Sequence, residues 1–271
     1  MAVLKRDPTR TTALRKRFSV DMRKRFLVIR RAVLSHVYID DAYGLEPETT
    51  GLVGNVREFE FLTDAGKVRQ FRAWLQEQIN TGVLSVEPGL ESTPWLSTYV
   101  ESAYKKGVVR AYVDAKGFDA DEQAFFLDAF SSRSGLAKIE LVSTRAFEGL
   151  KGITHAMSND MSRIFADGLA HGRSPRVVAK ELADSVAGIT KKRALVLART
   201  EIVNAHSEGQ LDSFEKLGVE TLGVDVEFST AGDGRVCQVC ASLEGQTFTT
   251  KTARGVIPVH PNCRCAWIPA I

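Results

Sequence analysis

The sequence lacks any long apolar run. Its apolar stretches, such as residues 26–29 and 194–198, are far shorter than the roughly 20 residues that cross a bilayer. The first residues also lack the apolar core of a secretory signal. We therefore expect a soluble chain that is made and used on the cytoplasmic side and that has no transmembrane helix.

The composition excludes several other classes of protein. The apolar fraction of 44 % and the charged fraction of 25 % lie near the averages for globular chains, which excludes wholesale disorder and collagen. The length of 271 residues suggests about two domains. A Ser/Gly-rich stretch at residues 131–135 predicts the boundary between a helical N-terminal domain, 1–135, and a second domain, 136–271.

Acidic residues are scarce at the start of the chain. Residues 1–36 hold Asp7 and Asp21 against eleven lysines and arginines, a net charge of +9 in a chain whose total is +3. Asp7-Pro8 predicts the start of a helix, with Asp7 as its cap. The apolar residues that follow recur every three or four positions and predict one apolar stripe along it: Leu14, Phe18, Met22, Phe26, Ile29, Val33 and Val37.

The basic residues of this first helix leave three interpretations open. They can form the solvated face of an ordinary helix. They can meet acidic groups of a partner protein while the apolar stripe buries in that partner, or they can neutralise nucleic-acid phosphates without reading bases. The residues concerned are Arg15, Lys16, Arg17, Arg23, Lys24, Arg25, Arg30 and Arg31.

Helical spacing dominates the second half, and a short β pattern ends it. A long apolar periodicity over residues 139–164, a Ser174-Pro175 start and a stretch over 190–217 predict three helices. The alternation over residues 224–228 then predicts a strand, with which short β segments near the C-terminus can pair. We therefore expect an α+β protein that is mostly helical, with a small C-terminal β module.

Cysteine is rare, and all four cysteines fall in the last thirty-five residues. They form a Cys237-x-x-Cys240 turn and, after nineteen intervening residues, a His260-x-x-Cys263-x-Cys265 motif. This spacing and ligand chemistry are typical of a closed structural Zn²⁺ site. Such a site would stabilise a module that has few large apolar side chains in its core. Five candidates compete for four positions; our first choice is the first four, and Cys265 can replace His260 or Cys263. Two disulfides, or four free thiols, are the alternatives.

The same region carries a family signature. Residues 233–245, with Asp233-Gly-Arg235 before the first cysteine pair, and residues 258–265 resemble the C-terminal signature of the phage Mu F-like minor head proteins. The resemblance covers about residues 140–267, and Ala198-Arg199-Thr200-Glu201 also fits it. It implies a minor capsid protein inside the virion head, present in the host cytoplasm during assembly. It further implies association with the portal and with the major capsid or scaffolding protein, a part in head assembly, DNA packaging or ejection, and no catalytic activity. The resemblance also argues against contact with a membrane, although the composition of the basic helix allows a membrane-surface helix.

Two further functions compete with this interpretation. A zinc-containing module that binds the packaged genomic DNA uses the same cysteines and the same basic helix. A metal-dependent nuclease also places a cysteine pair before a histidine, but Pro261 follows His260 and no following helix fits that chemistry. We therefore expect no enzyme.

Isolated polar residues on the later helices carry weaker signals. His155, His171 and His206 stand alone, and we expect them to face solvent. Arg199 and Glu201 are either surface charges or, as the family resemblance implies, structural residues where their helix meets the β module. In the same way the resemblance implies a structural role for Asp233 and Arg235.

Overall fold

The computed structural model describes residues 7–46, 61–87, 93–116, 128, 133–217 and 225–270. It is mostly helical and has a small antiparallel sheet near the C-terminus, which confirms the predicted secondary-structure content. Among the described helices, none is both long enough and apolar enough to span a bilayer. The helices are α1 Thr12–Val33, α2 Phe61–Gly82, α3 Ser97–Lys116, α4 Arg133–Ala170, α5 Pro175–Ile189, α6 Leu195–Lys216, α7 Gln238–Leu243 and α8 Thr250–Ala253. Two π-helical turns, Leu34–Ile39 and Thr190–Ala194, adjoin α1 and α5, and the strands are β1 Val86–Glu87, β2 Thr93–Pro94, β3 Val226–Ser229, β4 Thr247–Phe248 and β5 Ala266–Pro269.

The chain divides into two compact units, each built from separate segments. The first unit comprises Met1–Ser19, Gly89–Phe147 and Val196–Ile271, and the second comprises Val20–Pro88 and Glu148–Leu195. Each unit therefore draws on both sides of the predicted boundary at residues 131–135. Of that stretch, residues 131 and 132 lie outside the described residues, and the boundary itself stays a prediction. The sequence also predicts a short helix over residues 119–132, with acidic residues in its first turn, and of this range only residue 128 is described.

The first helix begins later than its sequence pattern predicts. Pro8 and Thr9 form a turn, Arg10 has a positive φ of 50°, and α1 starts at Thr12. Asp7 still caps the helix, because its carboxylate accepts the backbone N–H of Thr12 at 2.9 Å. The prediction that Pro8 occupies the first helical position was wrong, because Pro8 lies in the turn before α1. This turn brings the Asp7 carboxylate to the free N–H groups of the helix start, five residues further along the chain.

The apolar stripe of α1 lies inside the chain's own core. All seven stripe residues have at most 3 % of their surface exposed. In the first unit, Phe18 stacks on Tyr99 with ring centroids 4.7 Å apart and meets Trp95 edge-on at 5.5 Å. The interpretation in which this stripe buries in another protein was therefore wrong; only the polar face of α1 is available to a partner.

In the first unit, helices α3 and α6 touch backbone to backbone. A Cβ placed on Gly107 would overlap the backbone carbonyl of His206, and one placed on Gly209 would overlap that of Tyr104. Each glycine therefore lies against the main chain of the other helix, so the two axes approach more closely than larger residues permit.

A buried carboxylate ties four segments of the first unit together. Asp212 on α6 has 2 % of its side chain exposed. It accepts hydrogen bonds from the Tyr104 hydroxyl on α3, from Lys138 Nζ on α4 at 2.6 Å and from Arg254, just after α8, also at 2.6 Å. Burial raises the pKa of the Tyr104 hydroxyl, so it remains a proton donor to Asp212. The two cations compensate the charge that burial would otherwise leave unpaired.

The C-terminal sheet is anchored on α6. Its order is β4-β3-β5 and both pairs are antiparallel, with Val226 opposite Phe248 and Phe228 opposite Trp267. The Trp267 ring is fully buried and donates its Nε1–H to Ser207 on α6 at 3.0 Å. The Gln210 amide bonds both the backbone carbonyl and the backbone N–H of Trp267. One face of α6 thus holds the module that carries the cysteines.

The second unit has an aromatic core. Phe71 of α2 stacks on Phe165 of α4 with centroids 4.5 Å apart, and Tyr43 meets the same ring edge-on at 4.9 Å. The π-helical turn Leu34–Ile39 contacts α5. Trp74 is half-buried and stacks on His36 at 4.3 Å.

Candidate metal centre

The first cysteine pair is arranged by the start of α7. Cys237 is the N-cap of this helix, and its Sγ accepts the backbone N–H of Cys240 at 3.3 Å. This hydrogen bond lowers the pKa of the Cys237 thiol, because the N–H group stabilises the thiolate. The Cys-x-x-Cys spacing therefore places two sulfurs on one side of a helix N-terminus, as the sequence predicts.

His260 completes a first group of three donors. Its Nε2 lies 3.3 Å from the sulfur of Cys237 and 3.2 Å from that of Cys240. Its Nδ1 lies 2.8 Å from the carbonyl oxygen of Pro261. A carbonyl oxygen is an acceptor and not a donor, so Nδ1 carries the proton in this hydrogen bond. This tautomer leaves the Nε2 lone pair directed at the two sulfurs, which is the orientation that a metal-ligating imidazole requires.

Cys240, Cys263 and Cys265 form a second group. The donor atoms within each group lie within 4.8 Å of one another, and Cys240 belongs to both. A tetrahedral ion with Zn–S bonds of about 2.3 Å separates its ligand atoms by about 3.7 Å, so each group is compatible with one face of such a site. All five predicted candidates are thus brought together around Cys240, and they could bind a metal ion.

The second group is buried, and its protonation is uneven. The side-chain hydrogen bond from Cys265 lowers the pKa of the Cys263 thiol to about 5. Burial raises the pKa of the Cys240 thiol to about 12. All four cysteines are free thiols in the structure. A cation bound here would stabilise the thiolate form of Cys240, which burial opposes.

An ion pair ties the loop before Cys237 to the second cysteine motif. Asp233 accepts two hydrogen bonds from the Arg264 guanidinium, at 2.8 and 2.6 Å. Arg264 holds the pKa of this carboxyl well below its usual range. The predicted structural residue Arg235 donates its backbone N–H and its exposed guanidinium to the same carboxylate. Arg264 was not among the predicted structural residues, although its position between Cys263 and Cys265 suggests a role in the cluster.

Arg199 and Glu201 occupy different environments. Glu201 is buried, and Arg145 on α4 lies 3.8 Å from its carboxylate. Burial raises the pKa of Glu201. Arg199 is exposed, and its guanidinium has no hydrogen-bond partner within the described part of the chain. The structural role that the family resemblance implies for Arg199 therefore stays a prediction. Asn262, in the turn between His260 and Cys263, donates its backbone N–H to Thr200 instead.

The basic residues of α1 separate into two groups. Arg15 pairs with Asp7 at 3.0 Å, and Arg25 donates to the backbone carbonyl of Gly82 and the hydroxyl of Ser85. These two arginines, together with Arg30, are half-buried. The five exposed members of the set are Lys16, Arg17, Arg23, Lys24 and Arg31. An electrostatic partner would therefore meet these five first.

His206 does not face solvent, contrary to the prediction from its isolated position. His155 and His171 are exposed as expected, but His206 is 1 % exposed because it lies on α6 where that helix crosses α3. Neither ring nitrogen meets full hydrogen-bond geometry with a described residue, although the Gln210 side chain interacts with the ring and partly opposes the effect of burial. Burial lowers the pKa of this ring to about 3, while Asp7 acts in the opposite direction.

Mild acid is expected to destabilise the protein through His206. With a folded-state pKa of about 3 against an ordinary 6.5, the unfolded state binds more protons between these values. The stabilisation is therefore complete above pH 6.5 and decreases as the pH falls, by about 1 kcal/mol between pH 7 and pH 5.5. Urea unfolding at both pH values should show this loss in the wild type and a loss smaller by about 1 kcal/mol in His206→Gln. Equal losses in the two proteins would contradict the assignment.

The comparisons with known proteins agree with the C-terminal motif. Residues 159–268 match the family model described as Phage Mu protein F like protein. No curated protein and no solved structure matches the chain. The matched region contains all five metal candidates, Asp233 and Arg235, and it excludes α1. The match supports a role in phage head morphogenesis. Residues 159–268 are thus similar to the phage Mu F-like proteins, as the Cys/His motif predicts.

Proposed function

We propose that this chain is a minor capsid protein of a tailed phage, which docks on portal and on major capsid or scaffolding subunits inside the head. It assists assembly, DNA packaging or ejection and catalyses no reaction. The observation that carries the proposal is the family match over residues 159–268, which includes the whole Cys/His cluster.

The cluster fits a structural Zn²⁺ ion in this proposal. The two motifs supply five donors, Cys240 and the four residues around it, so four protein ligands can close the coordination shell and leave no position for a reactive water. Bound zinc would join the start of α7 to the turn at His260 and to β5. The ion would thereby hold together a module with few large apolar side chains.

The exposed cations of α1 support docking through charge. The apolar stripe is buried within the chain, so the polar face of α1 remains for contact with acidic groups of head proteins. Packaged DNA is the alternative partner, because the same cations would neutralise phosphates. Partner proteins and DNA therefore have to be separated by experiment.

Reversing two cations is expected to reduce incorporation into heads. Lys16→Glu with Arg17→Glu changes exposed side chains and leaves the stripe intact, whereas deletion of residues 1–36 would remove core residues. We expect a decrease of about tenfold in copies per particle, measured by quantitative mass spectrometry, since one decade corresponds to about 1.4 kcal/mol. Arg176→Glu with Lys180→Glu, which changes net charge equally on exposed positions of α5, should incorporate normally.

Cross-linking in assembled particles then identifies the partner. Cross-links from Lys16 to portal, capsid or scaffolding chains are the expected result. Cross-links to DNA alone, without any to a head protein, would replace docking by the genome-binding alternative.

A further inference from the structure

The second unit contains an open groove that the family match does not explain. It has a volume of about 280 Å³ and lies between α1 and the π-helical turn Thr190–Ala194. Phe26, Val186 and Leu195 line it and are each at least 95 % buried, so they form its floor. Leu27 and Ala187 line it at more exposed positions. An apolar floor that remains open to solvent is a feature of binding surfaces.

Three cations line the same groove. They are Arg23 and Arg30 of α1 and Lys191 of the π-helical turn, and none of the described residues that line the groove is acidic. None of the three forms an ion pair within the described residues. The Nε–H of Arg30 is buried and has no hydrogen-bond acceptor among the residues that the structure describes. A buried donor without an acceptor is costly, so a ligand oxygen at Arg30 would relieve an existing penalty.

The surface around the groove is positive as well. Lys192 and Arg193 follow Lys191 on the same π-helical turn, and both are exposed. Arg31 is exposed next to Arg30 on α1. Of these flanking side chains, none has an ion-pair partner in the described part of the chain. Such a field attracts an anionic partner and raises its association rate.

We propose that this groove binds an acidic segment of a partner protein that carries at least one bulky aliphatic side chain. The aliphatic side chain packs on Phe26, Val186 and Leu195, and carboxylates pair with Arg23, Arg30 and Lys191. The Arg30 guanidinium can donate its unpaired Nε–H to such a carboxylate.

Charge and apolarity together favour a protein segment over nucleic acid. Phosphates would satisfy the cations but would leave the apolar floor without a partner. A carboxylate-rich peptide with a leucine satisfies both, as in the binding of amphipathic segments to grooves. The groove is expected to bind this segment whether or not the chain acts in head assembly, so failure of either proposal leaves the other standing.

The test is a binding measurement with defined probes on the full chain. A fluorescent glutamate-rich peptide containing leucines is compared with a peptide in which serine replaces each leucine, and with a short duplex DNA. We expect the leucine peptide to bind at least about tenfold more tightly than the serine peptide. Arg23→Glu with Lys191→Glu should weaken its binding by at least about tenfold, whereas the matched Arg176→Glu with Lys180→Glu variant should retain wild-type affinity.

Each other outcome contradicts the proposal. Equal binding of the two peptides would show attraction by charge alone, without the apolar floor. Tighter binding of DNA, lost in the groove variant, would assign the surface to nucleic acid. Equal weakening in both variants would show an effect of net charge. Thermal unfolding of each variant establishes that it is folded, and Arg30→Gln, which removes the charge without reversing it, provides a milder second test.

Discussion

Replacement of Cys240 by serine is expected to abolish metal binding and unfold the C-terminal module. Cys240 is the one residue shared by both donor groups, and it is 2 % exposed. Its loss therefore affects every choice of four ligands that includes either group. Structural zinc contributes on the order of 10–16 kcal/mol of apparent free energy in small fingers, while whole domains are stable by about 5–15 kcal/mol. The module cannot retain its fold if that contribution is lost.

The measurement is the zinc content of the purified chain by native mass spectrometry, combined with limited proteolysis. The wild type should hold one zinc ion per chain and resist cleavage over residues 225–270, and the Cys240→Ser protein should hold none and be cleaved there. Val239→Ser is the matched control, because Val239 is the neighbouring residue and 57 % exposed. A wild-type protein that is free of metal, well ordered and disulfide-bonded would contradict the zinc site.

The other four candidates can then be sorted by single replacements. Cys237, His260, Cys263 and Cys265 compete for the remaining positions, and each lies in only one of the two donor groups. Three of the replacements should release zinc, and the fourth should retain it and identify the spare residue. The preferred set from the sequence predicts that this residue is Cys265.

Local patterns were sufficient to predict the features that depend on nearest neighbours along the chain. Helical periodicity predicts the apolar stripe of α1, and ligand spacing predicts the Cys237-x-x-Cys240 turn. Both patterns can be read from a short stretch of the sequence. Features that depend on distant segments were missed. His206 is buried because α3 crosses α6 there, and Arg264 reaches an aspartate 31 residues away. A local sequence pattern contains no information about the helix crossing at His206 or about the ion pair of Arg264.

The fate of the basic helix shows the same limit. An amphipathic pattern predicts that one face of α1 is buried, but it does not predict whether the chain itself or a partner protein buries that face. The structure covers that face with the chain's own core, including Tyr99 and Trp95 against Phe18. Partner binding therefore has to be sought on the polar face and on the groove lined by Arg23, Arg30 and Lys191.

Replacement of Gly209 by alanine is expected to destabilise the protein by about 3 kcal/mol, since a new methyl group in a fully packed contact forces neighbours to shift. The added Cβ would overlap the backbone carbonyl of Tyr104, and a helix backbone cannot rotate away as a flexible side chain can. Alanine favours the helix by up to about 1 kcal/mol over glycine, which offsets only part of this cost. Gly107→Ala should behave alike, because its Cβ would meet the carbonyl of His206 on the facing helix.

Gly152 provides the matched control for both substitutions. It lies within α4, and a Cβ there would meet nothing within 4 Å. Gly152→Ala should therefore stabilise the chain by up to about 1 kcal/mol, through helix propensity and the reduced freedom of the unfolded state. Urea unfolding of the three variants gives the comparison directly. A lower free energy of unfolding for the Gly107 and Gly209 variants, with a higher one for the Gly152 variant, indicates the close crossing of α3 and α6. A higher free energy of unfolding for all three variants would show that these helices do not touch.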